Sequence, residues 1–167
     1  MRYADTLLAE FDNEMKTTRA MLEQVPYGTD ATKPGNKSRT MHELAAHIAN
    51  IARFGDLVIG ANERDVSAPG AAMPATFDSS EALLKTFDAN AAASRTAIQG
   101  LDESTLGDTF TMRRGETVMI ALPRASALRL LLMNHTIHHR GQLSAYFRLN
   151  DVPHPPIYGP NAEMSGR

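Results

Sequence analysis

From Tyr3 to Val25 the residues Leu7, Phe11, Met15, Thr18, Leu22 and Val25 recur at spacings of three and four. Such a stripe lies on one face of an α-helix. Pro26 and Gly28 predict its end, and a polar loop follows to Ser38. Thr40 and Glu43 carry the spacing of a capping box, in which each side chain bonds the other residue's backbone N–H at a helix start. The second helix then presents Leu44, His47, Ile48, Ile51, Phe54 and Val58 inward, and Gly60 and Asn62 mark its end. Residues 63–76 hold Pro69, Gly70 and Pro74 and read as a long loop. Asp78 with Glu81 predicts the cap of a third helix, lined by Leu84, Phe87, Ala91, Ser94, Ile98 and Leu101 and stopped near Gly100.

The segment from Thr109 to Ile120 has another rhythm. FTMR and TVMI flank Arg114-Gly115-Glu116, which fits a short hairpin. Pro123 suits the first turn of a fourth helix, where its missing N–H costs nothing. That helix runs to about Leu149 through Leu128, Leu131, Leu132, His135, His139, Leu143 and Tyr146. The tail VPHPPIYGPNAEM is rich in proline and is predicted to be non-helical. The expectation is an all-α fold in one domain, residues 1–167: a four-helix bundle with long crossover loops, and a short hairpin before the last helix.

Composition narrows the function. The 17 basic and 19 acidic residues give a net charge of −2, with no basic block to follow a phosphate backbone, so no nucleic-acid partner is expected. Cysteine is absent, which excludes disulfides, Cys-ligated zinc, iron–sulfur clusters and a thiol nucleophile. The N-terminus mixes charges into its apolar positions, unlike a signal peptide, and no run is long enough to cross a bilayer. A soluble cytoplasmic protein is expected.

Three histidines then stand out. His135 and His139 are one helical turn apart on an otherwise apolar face, and His47 lies on the inward face of the second helix. A lone inward histidine is usually a satisfied core residue. Burying several without partners leaves ring nitrogens unpaired at roughly 1–3 kcal/mol each, and a metal ion relieves this. Neither the H-E-x-x-H pattern of zinc proteases nor the Glu-x-x-His pairs of di-iron bundles is present. A mononuclear centre of three imidazoles remains, suited to zinc, nickel, copper or iron. Asn50 and Gln142, each three residues from a histidine, are candidates to position a substrate or orient a ligand. Arg140 is a third candidate, set against a plain ion pair on the helix surface. Glu43 serves as a general base or, more simply, as a cap. His138, His42 and His154 are not assigned to the metal, and the nine methionines read as core filling.

At these residues the chain resembles the DinB-like family of bacterial metalloproteins. The resemblance rests on HELAAHIAN around His47, on NHTIHHRGQLSAYFR around His135 and His139, and on the tail DVPHPPIYGP. It implies an up-down-down-up bundle with His47, His135 and His139 around one divalent metal, often nickel or zinc, and frequent homodimers. The family name records induction by DNA damage in its founder, a stress response that implies no DNA contact. Some relatives transfer or isomerise with low-molecular-weight thiols. After Tyr158-Gly159-Pro160 this chain reads Asn-Ala-Glu-Met, where that branch often has Ser-Ala-Asp-Glu.

Three functions follow as expectations. The first is a transferase that uses a low-molecular-weight thiol as cosubstrate, with a small-molecule acceptor. The second is a metal-dependent hydrolase, disfavoured because the fourth helix has no carboxylate from Ala125 to Asn150. The third is a non-catalytic, dimeric metal-binding stress-response protein.

Overall fold

The computed structural model describes residues 2–28 and 33–166; residues 29–32 of the expected polar loop lie outside the described residues. Helix α1 is Tyr3–Leu22, α2 is Met41–Ile51, α3 is Phe54–Gly60 and α4 is Ser80–Gln99. The last long helical stretch comprises α5 (Arg124–Ala127), a π-helical segment (Leu128–Asn134) and α6 (His135–Leu149). Strands β1 (Glu63–Asp65), β2 (Thr109–Arg114) and β3 (Thr117–Pro123) make a small sheet in that order, with β1 parallel and β3 antiparallel to β2. The chain is thus mostly helical but not all-α.

The amphipathic stripes explain the packing. Leu7, Phe11, Met15, Thr18, Leu22 and Val25 are all buried, and α1 packs on α4 and α6. Helix α2 packs on the same two helices with Leu44, Ile48 and Ile51 in the core. It opens with the expected box: Glu43 N donates to Thr40 Oγ1 and Thr40 N donates to Glu43 Oε2, which fixes where His47 falls two turns later.

Four expectations need correction. The second helix does not run unbroken to Gly60. Ser94 of α4 inserts its hydroxyl at the break: Oγ donates to Ala52 O and accepts from Asp56 N, two groups that would otherwise bond each other. Gly55 allows that approach, because a Cβ there would lie 2.7 Å from Ser94 Cβ. The loop after α3 contains β1, held by Arg113 of β2, which donates to Glu63 and Asp65. The cap of α4 is Ser79 rather than Asp78, and the Ser79 side chain accepts from Ala82 N. In the tail, Ala162–Ser165 forms one helical turn (α7) capped by the Asn161 side chain, because Pro160 precedes that turn instead of interrupting it.

The expected hairpin is present as β2 and β3, turning at Gly115, whose φ of 56° suits glycine. Pro123 sits at the N-cap of α5, one residue before the helix. Buried Arg124 then donates to the carbonyls of Val58, Ile59 and Ala61, closing the open end of α3 against the last helical stretch. No helix among the described residues is long and apolar enough to cross a membrane.

Candidate metal centre

His47 comes from the middle of α2, and His135 and His139 from the first turns of α6. The two helices pack together, so the three rings meet. His47 Nε2 lies 3.3 Å from His135 Nε2 and 3.2 Å from His139 Nε2. The potential ligand atoms of all three lie within 4.8 Å of one another, and this is the cluster among the described residues that could hold a metal ion. Two imidazole nitrogens bound to one ion at about 2.0–2.1 Å and a tetrahedral angle stand about 3.3 Å apart. Both spacings from His47 match that separation.

Their protonation agrees. Burial pushes the His47 pKa down to about 3, with the positive charge of Arg39 and the other two rings adding to the effect. Burial also takes His135 down to about 4; His139 adds to this, while a backbone hydrogen bond at Leu131 opposes it. His139 is lowered by burial, against a hydrogen bond to Gln142. All three rings are neutral near pH 7 and carry a free nitrogen lone pair.

The tautomer of His139 follows from its neighbour. Gln142 Oε1 accepts from His139 Nδ1 at 2.7 Å, so His139 Nε2 holds the lone pair that faces the cluster. The Gln142 amide in turn donates to His138 Nε2 at 3.0 Å. Without an ion, one ring N–H would have to serve two facing lone pairs; a cation satisfies all three together. The donor set therefore fits a divalent transition metal.

The other expected residues divide. Asn50 is buried, lies beside His47 in a cavity of about 420 Å³, and donates from Nδ2 to Pro74 O at 2.7 Å, which holds the loop before α4 over that cavity. Gln142 touches His139. Arg140 points elsewhere: it is 1% exposed, pairs with Glu14 of α1 at 2.5 Å, and bonds Thr18 and Tyr158. Glu43 lines the His47 cavity, but its carboxylate is engaged in the cap and its pKa is lowered by the backbone hydrogen bond at Thr40. His138 is exposed, His42 Nε2 bonds Pro26 O, and His154 Nδ1 bonds Pro155 O.

Sequence reasoning missed Lys37, Arg39 and Tyr146. Lys37 and Arg39 line the cavities on both sides of the histidines. They precede the capping box in a loop that has no periodicity to place them, and the short basic run KSR is the one signal available. Tyr146 shares the face of His139, where its spacing among apolar residues gives no sign of a polar role. Its hydroxyl donates to Arg39 O at 2.8 Å, tying that loop to α6.

Comparison with known proteins agrees with this architecture. A solved DinB-like protein from Bacillus subtilis is 18% identical, with a TM-score of 0.70 over 93% of this chain and 99% of its own. A DinB-like protein from Bacillus cereus is also 18% identical, with a TM-score of 0.66 over 90% of this chain and 95% of its own. At that identity these likenesses speak for the fold alone. No curated protein matches the chain. The family model described as the DinB family matches residues 1–166, and the chain belongs to that family.

Proposed function

We propose that the protein is a metal-dependent transferase in which His47, His135 and His139 hold one divalent ion, nickel or zinc, and a low-molecular-weight thiol is the cosubstrate. The observation that carries this reading is the convergence of three neutral imidazoles with no fourth His, Cys, Asp or Glu in the cluster among the described residues. Three protein ligands leave a position for an exogenous molecule, as catalytic sites do and closed structural sites do not. When bound, the ion is a Lewis acid that makes a coordinated thiol more acidic and a better nucleophile.

The chain's own residues shape the rest. Gln142 fixes the His139 tautomer. Asn50 keeps the Pro74 loop at the wall of the His47 cavity. With cysteine absent, sulfur must arrive with the cosubstrate. A hydrolase is less well supported, because Glu43 is the carboxylate at the cavity and its Oε2 is taken up by Thr40 N at 2.7 Å. Non-catalytic metal binding is the remaining alternative.

The same reading takes residues 1–167 as one domain and the four long helical stretches as an up-down-down-up bundle, in a cytoplasmic protein that pairs as a homodimer. Exposed Val118, Met119 and Leu130 around the hairpin support self-association. The test is to load purified protein with zinc or nickel and offer several thiols with a chlorinated aromatic acceptor. Thioether formation that is lost in His135→Ala supports the transferase; no turnover with any thiol contradicts it.

A further inference from the structure

On the His139 side of the centre lies a second cavity, of about 700 Å³. Lys37, Ser38, Arg39, His139, Gln142 and Tyr146 are among its walls, and no acidic side chain lines it among the described residues. Lys37 and Arg39 make no ion pair or hydrogen bond through their charged groups among the described residues. Glu43 shares the other cavity with Lys37 and Arg39 and acts on Arg39 through space, while its Oε2 accepts from Thr40 N at the cap of α2. The Arg39 backbone is not loose: its carbonyl accepts from Tyr146 O–H, and Tyr146 is itself 8% exposed. Two uncommitted cations on an anchored loop, facing a cavity that also contains His139, are a recognition element in search of negative charge.

We infer that Lys37 and Arg39 form a carboxylate-binding edge beside the three-histidine centre, so that a molecule bound there is a small carboxylate. This deepens the proposed function and rests on it for the role of the metal. A planar guanidinium can take a carboxylate with two parallel hydrogen bonds, and the flexible ammonium adds a point charge. Lys37 and Arg39 share one cavity with His139 and the other with His47, so one molecule in either can face both the edge and the centre. Ser38 and the Gln142 amide offer further polar contacts on the same wall. The carboxylate belongs either to the thiol or to the acceptor.

Cobalt(II)-loaded protein tests this by absorption, independently of turnover. The probes are mercaptosuccinate, 2-mercaptoethanol and succinate, and the proteins are wild type, Arg39→Gln and the Lys37→Gln/Arg39→Gln pair; circular dichroism checks folding of these exposed-site variants. Wild type is expected to bind mercaptosuccinate at least about tenfold more tightly than 2-mercaptoethanol, a ratio that falls toward one in the double variant. If the carboxylate belongs to the acceptor, succinate instead binds protein already saturated with 2-mercaptoethanol, again only with Arg39 present. Equal affinities of wild type and double variant for every probe overturn the inference. Should cobalt not be taken up, the metal reading fails by itself, and calorimetry with succinate on metal-free protein still decides: Arg39-dependent binding supports the edge, and no binding overturns it.

Discussion

His139 and Arg140 are buried neighbours in the chain, yet they enter two polar clusters of opposite character. One residue is about 100° of helical turn, so the two side chains leave α6 on different faces. Arg140 meets Glu14, Thr18 and Tyr158, each of which offers an oxygen to its positive charge. Only its Nε and the nearby Thr136 hydroxyl are buried without a partner among the described residues. That cluster is nearly complete, and it fastens the tail to α1 through Tyr158. His139 meets two rings like itself, and His47 Nε2 stands within 3.3 Å of both His135 Nε2 and His139 Nε2, so at most one N–H serves two lone pairs. A cation would satisfy the three rings of that cluster together. The comparison separates a polar group that holds a fold together from one that could take up a ligand.

The contrast can be broken from either side. Removing His135 should act on the ligand and spare the fold: His135→Ala is expected to weaken zinc or nickel binding on the order of a thousandfold, read by competition with a chelator. Stability of the metal-free protein should hardly change. Removing Arg140 should do the reverse. Arg140→Met leaves Glu14 without its partner in a buried setting and is expected to cost about 3 kcal/mol in urea unfolding, with one metal per folded chain retained. A weaker effect on the metal is expected from Gln142→Ala, which frees the His139 tautomer: roughly ten- to a hundredfold in affinity.

Acid sharpens the same difference. The His47 and His135 rings stay neutral in the folded chain down to about pH 3 and about pH 4, against an ordinary value of 6.5. Unfolding therefore takes up protons only below about pH 6.5. The metal-free protein should keep its full stability above that pH and lose it as pH falls toward 4 and then 3. A His47→Gln variant should show a shallower decline between pH 6 and 4 in thermal melts. The smallest effect belongs to Asn50→Ala, which loses one bond to Pro74 O: about 1 kcal/mol of stability, with faster hydrogen exchange in the loop before α4.

Local signals in the chain were readable. The stripe of α1, the Thr40–Glu43 box, the hairpin at Gly115 and the inward helix faces that carry His47, His135 and His139 all follow from short-range periodicity and turn chemistry. What escaped depends on distant partners. The break after Ile51 is made by the Ser94 hydroxyl, from a helix far along the chain. Strand β1 is three polar residues, Glu-Arg-Asp, with no alternation, and exists because β2 offers it an edge and Arg113 its charge. The π-helical segment falls in LRLLLMN, where leucines on every side leave the helical phase undefined. At the site, spacing brought forward the histidines, whereas Lys37 and Arg39 lie in a loop whose position is set by Tyr146 on another element. The sequence leaves Arg140 open between substrate contact and surface ion pair, and only the position of α1 shows where its guanidinium goes.

X-ray absorption spectroscopy of the zinc-loaded protein, beside His135→Ala, bears most directly on the central claim. The expected result is one zinc per chain with three imidazole nitrogens at about 2.0–2.1 Å and a light-atom ligand from solvent, and loss of one imidazole in the variant. Zinc bound with fewer than three imidazoles, or an unchanged spectrum in His135→Ala, would contradict it.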